Sequence, residues 1–169
     1  MPLVNKIRSN PVRAIVALCF LCAFVPLALA LVGQYGFGLH PCDLCIYQRI
    51  PYGLIIALCM AGFFIKNQRI RYIICLFCAF LFLIDAGIAA YHAGVELNIF
   101  KGPTACSDNG GTGQTLEEMR AAIMNAPLVT CAQAMIYVLG LSMAAWNMLA
   151  ALVSLCLVSF LLFKSRKEI

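Results

Sequence analysis

The stretch LVTCAQAMIYVLGLSMAAWNMLAALVSLCLVSFLLF, residues 128–163, is apolar for 36 residues, interrupted only weakly by Gln133, Gly140 and Asn147. As one helix it would run ~54 Å at 1.5 Å per residue, far beyond the ~30 Å of hydrocarbon that a single crossing fills. Two crossings of ~20 residues each with a turn between them do not fit either. The stretch therefore holds one crossing, Trp146–Phe163 with a few residues before it, about 144–163. Residues 128–142 then lie on or near the membrane surface.

Working outward, the chain repeats such runs. AIVALCFLCAFVPLALALV at 14–32 reads as a first span, about 44–65 as a second and about 72–91 as a third. Hydrophobic residues make up 63% of the 169 and charged residues 11%, where soluble domains carry about a quarter charged. A soluble helical core would need polar helix faces to cover it, and these are absent. The expected fold is all-α, a single membrane-embedded four-helix bundle with two outer (periplasmic) loops, about 33–43 and 92–143.

Charge placement supports four spans. Lys6, Arg8 and Arg13 precede the first, Lys66, Arg69 and Arg71 join the second to the third, and Lys164, Arg166 and Lys167 follow the fourth. Four crossings put all nine on one side, and the positive-inside rule makes that side cytoplasmic, with both termini. The net charge of +5 thus reflects topology and excludes a nucleic-acid-binding reading. Ala28-Leu29-Ala30 resembles a signal-peptide cleavage site. The apolar run continues through Val32, however, and is read as a retained span.

The long loop contains Gly110-Gly111-Thr112-Gly113, which is turn material. Thr115 and Glu118 form a capping box for a short helix, about Leu116–Asn125, before Pro127. Leu116, Met119, Ala122 and Ile123 share one face of it, which suits the membrane interface.

Ten cysteines remain to be sorted. Cys19, Cys22, Cys59, Cys75, Cys78 and Cys156 fall inside spans, where thiolate is disfavoured and cysteine acts as a small apolar residue. The CFLC and CLFC pairs are taken to lie at different depths. With His40 and His92 the only imidazoles, no metal site is expected. Cys42, Cys45, Cys106 and Cys131 lie on the oxidising side, as two structural staples or as exchanging pairs. Three features favour exchange. Pro41 puts Cys42 and Cys45 in or near the first turn of a helix, whose positive dipole end stabilises thiolate. Arg49 follows Cys45 by four residues, one turn deeper on the same face, where a cation is costly without a role. Gly- and Asp/Asn-rich surroundings expose Cys106. Four cysteines allow three connectivities, and spacing does not choose among them.

PCDLCIYQR at 41–49, the pair Cys106 and Cys131, YHAGVE at 91–96 and LGLSMAAWN at 139–147 together resemble the DsbB family of bacterial inner-membrane disulfide oxidases. The resemblance covers nearly the whole chain. It implies electron flow from a reduced periplasmic thioredoxin-fold oxidase, DsbA-like, to a membrane quinone, ubiquinone or menaquinone. Cys106 matches the loop cysteine that the partner attacks, Cys131 its resting partner, and Cys42 the cysteine that exchanges with the loop pair. Cys45 matches the cysteine beside the quinone ring and Arg49 the arginine that contacts it. His92 is a further candidate for the quinone pocket.

Two positions depart from the family: Asp43 stands where an apolar residue is frequent, and Ile136 where some members carry Trp. Asp85, inside the third span, receives no role, and Tyr35, Tyr47, Tyr91 and Trp146 are read as an outer aromatic belt. The same relay running in reverse, or serving a dedicated substrate instead of a general oxidase, is a second reading; vitamin K epoxide reductases use a related four-helix arrangement. A membrane scaffold or transporter component with purely structural disulfides is a third.

Overall fold

A computed structural model describes residues 11–102, 131 and 136–166. Cys106, the expected interfacial helix at 116–125 and the terminal basic residues Lys6, Arg8 and Lys167 lie outside the described residues.

Four helices account for most of the described chain: α1 (Pro11–Phe37), α2 (Asp43–Phe64), α3 (Gln68–Glu96) and α4 (Met143–Ser165). Each is long and apolar enough to cross a membrane. The fold is all-α, as the sequence implies. Short connections, residues 38–42 and 65–67, join α1 to α2 and α2 to α3, so these successive helices run antiparallel. The Asn67 side chain caps α3 by accepting from the Arg69 N–H. Buried Arg71 donates its Nε–H to the Gly62 carbonyl at 3.2 Å, tying α2 to α3 at that end.

α1 packs against α2 and α4, and α3 against the same two, so the four close into a ring. The core is built from Ile15, Val16, Ile55, Phe82, Val158 and Leu162 with small residues between them. Outside that core the pattern is the reverse of a soluble protein. Ile73, Leu83, Val153, Phe160 and Phe163 point outward and are more than half exposed, with Val153, at 56%, representative of the face offered to lipid.

α3 is 29 residues long, ~44 Å as helix, so it projects past the ~30 Å hydrocarbon slab. The sequence reading began a loop at residue 92; the helix instead continues through His92 to Glu96. Leu97 closes it, its N–H donating to the Ala93 carbonyl at 3.0 Å. This extra turn carries two of the site's side chains.

The expected difference in depth between the CFLC and CLFC pairs does not hold. α1 and α3 run in the same direction, and Cys19 and Cys75/Cys78 lie similar distances from their helix starts. Cys19, Cys59, Cys75 and Cys78, all wholly buried, therefore share one core cluster, with the Cys19 thiol facing the other three. Cys22 is half-buried and Cys156 exposed.

Residues 137–142 form a small antiparallel hairpin, β1 (Tyr137–Val138) and β2 (Leu141–Ser142), paired Tyr137 to Ser142 and Val138 to Leu141. Its two turn residues, Leu139 at φ 53° and Gly140 at φ 80°, both take positive φ, as a tight hairpin turn requires. Leucine there costs about 1–2 kcal/mol, so the hairpin needs support from outside. Trp146 supplies it, its Nε1–H donating to the Val138 carbonyl at 2.8 Å. Ser142 ends the hairpin and caps α4 by accepting from the Ala145 N–H at 3.2 Å.

Candidate functional site

The start of α2 sets the geometry. Pro41 is followed by Cys42, which is the cap residue itself, in extended conformation at φ −74° and ψ 168°. Its sulfur accepts the Cys45 N–H at 3.3 Å, the place a Ser or Asp side chain takes at other helix starts. Cys-x-x-Cys spacing thus becomes cap and third helical residue, and the two sulfurs are 2.9 Å apart. That is a contact between thiols, longer than the ~2.05 Å of a disulfide bond. Cys42 is buried, and Cys45 is half-buried and faces a cavity.

A thiol that donates its proton to a neighbouring sulfur has its pKa raised, because losing the proton would cost the hydrogen bond. The Cys42 thiol is pushed up to about 12, first by its hydrogen bond to Cys45 and then by burial, with His92 pulling the other way. Cys42 is therefore the donor of the pair and Cys45 the acceptor. Cys131 packs on the same spot, in a small buried cluster with Cys42, Leu44 and Val95 against which Cys45 rests. Its expected loop partner Cys106 lies outside the described residues.

His92, one turn before the end of α3, brings Nε2 to 3.5 Å from the Cys42 sulfur and 3.7 Å from a Glu96 carboxylate oxygen. Its other nitrogen, Nδ1, is 3.1 Å from Gln48 Nε2. The Cys42, Cys45 and His92 ligand atoms all lie within 4.8 Å of one another. These three donors are enough for a soft cation to capture when both cysteines are reduced, although a closed structural zinc site takes four.

Arg49 is one turn below Cys45 on the same face, half-buried, and its guanidinium donates to Gln34 Oε1 on α1. Cys45, Arg49 and His92 line one cavity of about 750 Å³ between the four helices and the hairpin. Its walls are mainly apolar, Leu29, Phe37 and Met143 among them, with these few polar groups converging. Ile136 and Trp146 also line it. Trp146 is thus both a cavity wall and a hairpin brace, and Tyr35 is 80% exposed. Asp43, the family departure, is exposed in the first turn of α2.

Below the cavity lies a buried polar chain that the sequence did not disclose as a unit. Asn147 donates to Gln48 Oε1 at 3.1 Å and to Asp85 Oδ2 at 3.2 Å, and accepts from the Tyr52 hydroxyl at 2.7 Å. Asp85 is wholly buried, and its Oδ1 has no hydrogen-bond partner among the described residues. Gln48, Tyr52 and Asn147 went unnoticed as site residues. The available signal was spacing, because Cys45, Gln48, Arg49 and Tyr52 recur at three and four residues along one face of α2.

Comparison with known proteins shows the family. The family model described as "Disulfide bond formation protein DsbB" matches residues 12–161. An uncharacterized protein of Rickettsia prowazekii (strain Madrid E) is 26% identical over 160 residues, covering 94% of this chain and 90% of that protein. Disulfide bond formation protein B of Haemophilus influenzae (strain 86-028NP) is 45% identical over 58 residues, covering 32% of this chain and 31% of that protein. Four spanning helices of this composition, with the family match running from the first to the last of them, make the chain a multi-pass membrane protein and a member of the DsbB family of disulfide bond formation proteins.

Proposed function

We propose that the protein is a thiol:quinone oxidoreductase of the bacterial inner membrane, a single membrane domain that reoxidises a DsbA-like periplasmic thioredoxin-fold dithiol and passes the electrons to ubiquinone or menaquinone. The observation that carries this reading is the Cys42–Cys45 pair opening onto an apolar cavity beside Arg49 while Cys131 packs on the same pair. A purely structural staple needs neither the cavity nor a half-buried cation beside it.

The thiol steps follow from sulfur chemistry. A thiolate of the reduced partner attacks the Cys106–Cys131 disulfide at Cys106, and Cys131 leaves as thiolate. The partner's second thiolate attacks the mixed disulfide, so the partner leaves oxidised and Cys106 reduced. Cys131, packed beside Cys42, attacks the Cys42–Cys45 disulfide at Cys42, and Cys45 leaves as a thiolate facing the cavity. Cys106 then closes back onto Cys131 and releases Cys42. Two electrons have moved from the partner to the Cys42–Cys45 pair.

The cavity suits a quinone headgroup in volume and in its apolar lining with few polar groups. When bound, a quinone supplies a two-electron, two-proton acceptor that can return to the lipid. Arg49 would hold a ring oxygen and stabilise the negative charge that grows there. His92 would steady the Cys42 sulfur whenever it is a thiolate. Basic residues at the opposite end of the bundle support an orientation with both termini cytoplasmic.

The test is loss of quinone absorbance with purified protein, a reduced thioredoxin-fold donor and a soluble ubiquinone analogue. Turnover that Cys45→Ser abolishes is the expected result. No consumption with an active donor and intact folding returns the reading to structural disulfides, and consumption surviving Cys45→Ser assigns the wrong pair.

A further inference from the structure

Asp85 sits in the middle of a spanning helix, and nothing in the relay above uses it. Asp85, Asn147, Gln48 and His92 form an unbroken series of hydrogen bonds ending at the Cys42 sulfur. Proton conduction is the first thought such a series invites. Two of its links are carboxamides, however, which have no readily exchanged proton to pass and no lone pair on nitrogen to receive one. The series is a poor wire, but it has a direction.

That direction can be followed group by group. A carboxylate offers only acceptors, so Asp85 Oδ2 obliges Asn147 to present its NH₂. The second hydrogen of that NH₂ goes to Gln48, which must present its oxygen. Gln48 is then left with only its NH₂ to face His92 Nδ1, at 3.1 Å. Nδ1 must accept, so the single proton of a neutral imidazole resides on Nε2, which faces Cys42 and Glu96. Tyr52 does not share in the choice, because a hydroxyl can donate or accept.

We infer that Asp85 is a positioning residue, which sets the amide orientations of Asn147 and Gln48 and through them holds His92 as the Nε2–H tautomer, with its donor turned toward the Cys42 sulfur. Were the direction reversed, Gln48 would turn its oxygen to His92 and the imidazole would point a lone pair at Cys42. It would then withdraw support from a thiolate there. Burying a carboxyl group in a spanning helix is expensive, and fixing a donor at the reacting sulfur is a function that only an obligate acceptor can perform. The inference deepens the proposed oxidase reading at its Cys42 step, but the tautomer itself can be read without donor or quinone.

The experiment is ¹⁵N NMR of the histidine ring in detergent-solubilised protein, with His40→Gln leaving His92 as the only histidine. Wild-type Asp85 should give a protonated Nε2 and an unprotonated Nδ1. Asp85→Asn keeps size and shape but can present either face, so the two tautomers should mix. Asp85→Asn combined with Asn147→Asp keeps the composition and moves the obligate acceptor to the other side of the link, so Nδ1 should become the protonated nitrogen. With the tautomer lost, Cys42 exchange with a small disulfide should slow by about tenfold or more, the scale of one hydrogen bond to a charged group. A residue serving only packing would leave the tautomer unchanged in Asp85→Asn, and that result overturns the inference. An Nδ1–H wild type does so as well. A correct tautomer in a protein that consumes no quinone would sink the oxidase reading and leave this one standing.

Discussion

Removing Cys45 should make Cys42 more reactive, against the intuition that breaking a redox pair only disables it. Cys42 stands at about 12 against an ordinary value of 9.0, and its hydrogen bond to Cys45 is the largest cause. In Cys45→Ala that cause vanishes while burial still raises the value and His92 still lowers it. Full relaxation by three units would lift the thiolate fraction near neutral pH roughly a thousandfold. Thiolate nucleophilicity falls as the pKa falls, at a slope near 0.5, which takes back roughly thirtyfold and leaves roughly thirtyfold net. Residual burial brings the expected gain to about tenfold to thirtyfold. The assay is the pH dependence of Cys42 alkylation by iodoacetamide, with the modified residue located by mass spectrometry. A Cys106→Ser, Cys131→Ser background keeps the pair reduced. An equal or slower Cys42 rate in Cys45→Ala, or an ordinary Cys42 profile in the reduced parent, would refute the shared-proton account. The same shift has a stability consequence. A thiol whose folded value lies above its unfolded one stabilises the reduced fold fully below about 9 and loses that contribution as pH rises toward about 12. Reduced protein should therefore lose thermal stability above pH 9 more steeply than oxidised protein, as a melting series across that window would record.

Three further outcomes follow from the site and its supports. Arg49→Lys keeps the charge but loses the planar fork that reaches Gln34, so the KM for a ubiquinone analogue should rise by about tenfold while donor oxidation in a single turnover is spared. An unchanged KM would remove Arg49 from the quinone pocket. Cd²⁺ should bind the reduced protein through Cys42, Cys45 and His92, with a thiolate-to-metal ultraviolet band and loss of activity that chelator reverses. Binding to the oxidised protein of equal strength would place the ion elsewhere. Gly94→Ala puts a methyl group into the Phe100 ring, which stacks on Tyr91, where the Gly94 carbonyl also accepts the Ile99 N–H at 2.8 Å. A destabilisation of about 1–3 kcal/mol is expected, largely relieved by adding Phe100→Ala; additive effects in that cycle would exclude the clash.

The sequence was most informative where one physical constraint acts along the chain. Lipid demands apolar runs of spanning length, so the four helices were legible from composition, and residues 128–163 could hold only one crossing. Local spacing did nearly as well: Cys42, Cys45 and Arg49 share a helix face because the helix repeats every 3.6 residues, and they fall on one cavity. Helix ends were harder, since α3 continues through His92 to Glu96 on capping contacts rather than on hydropathy.

Whatever needed two distant segments to meet was left to the tertiary structure. The common depth of Cys19, Cys59, Cys75 and Cys78 depends on how α1, α2 and α3 align, which no periodicity within one helix specifies. Asp85 looked inexplicable alone because its partners Tyr52 and Asn147 belong to α2 and α4, 33 and 62 residues away in the chain. Cysteine spacing determined that a redox pair could form at the mouth of the bundle. Only packing among the helices decided which sulfur keeps the proton, which nitrogen of His92 faces it, and which cavity lies open beside it, because hydrogen bonds are directional and depend on neighbours that the chain brings together only when folded.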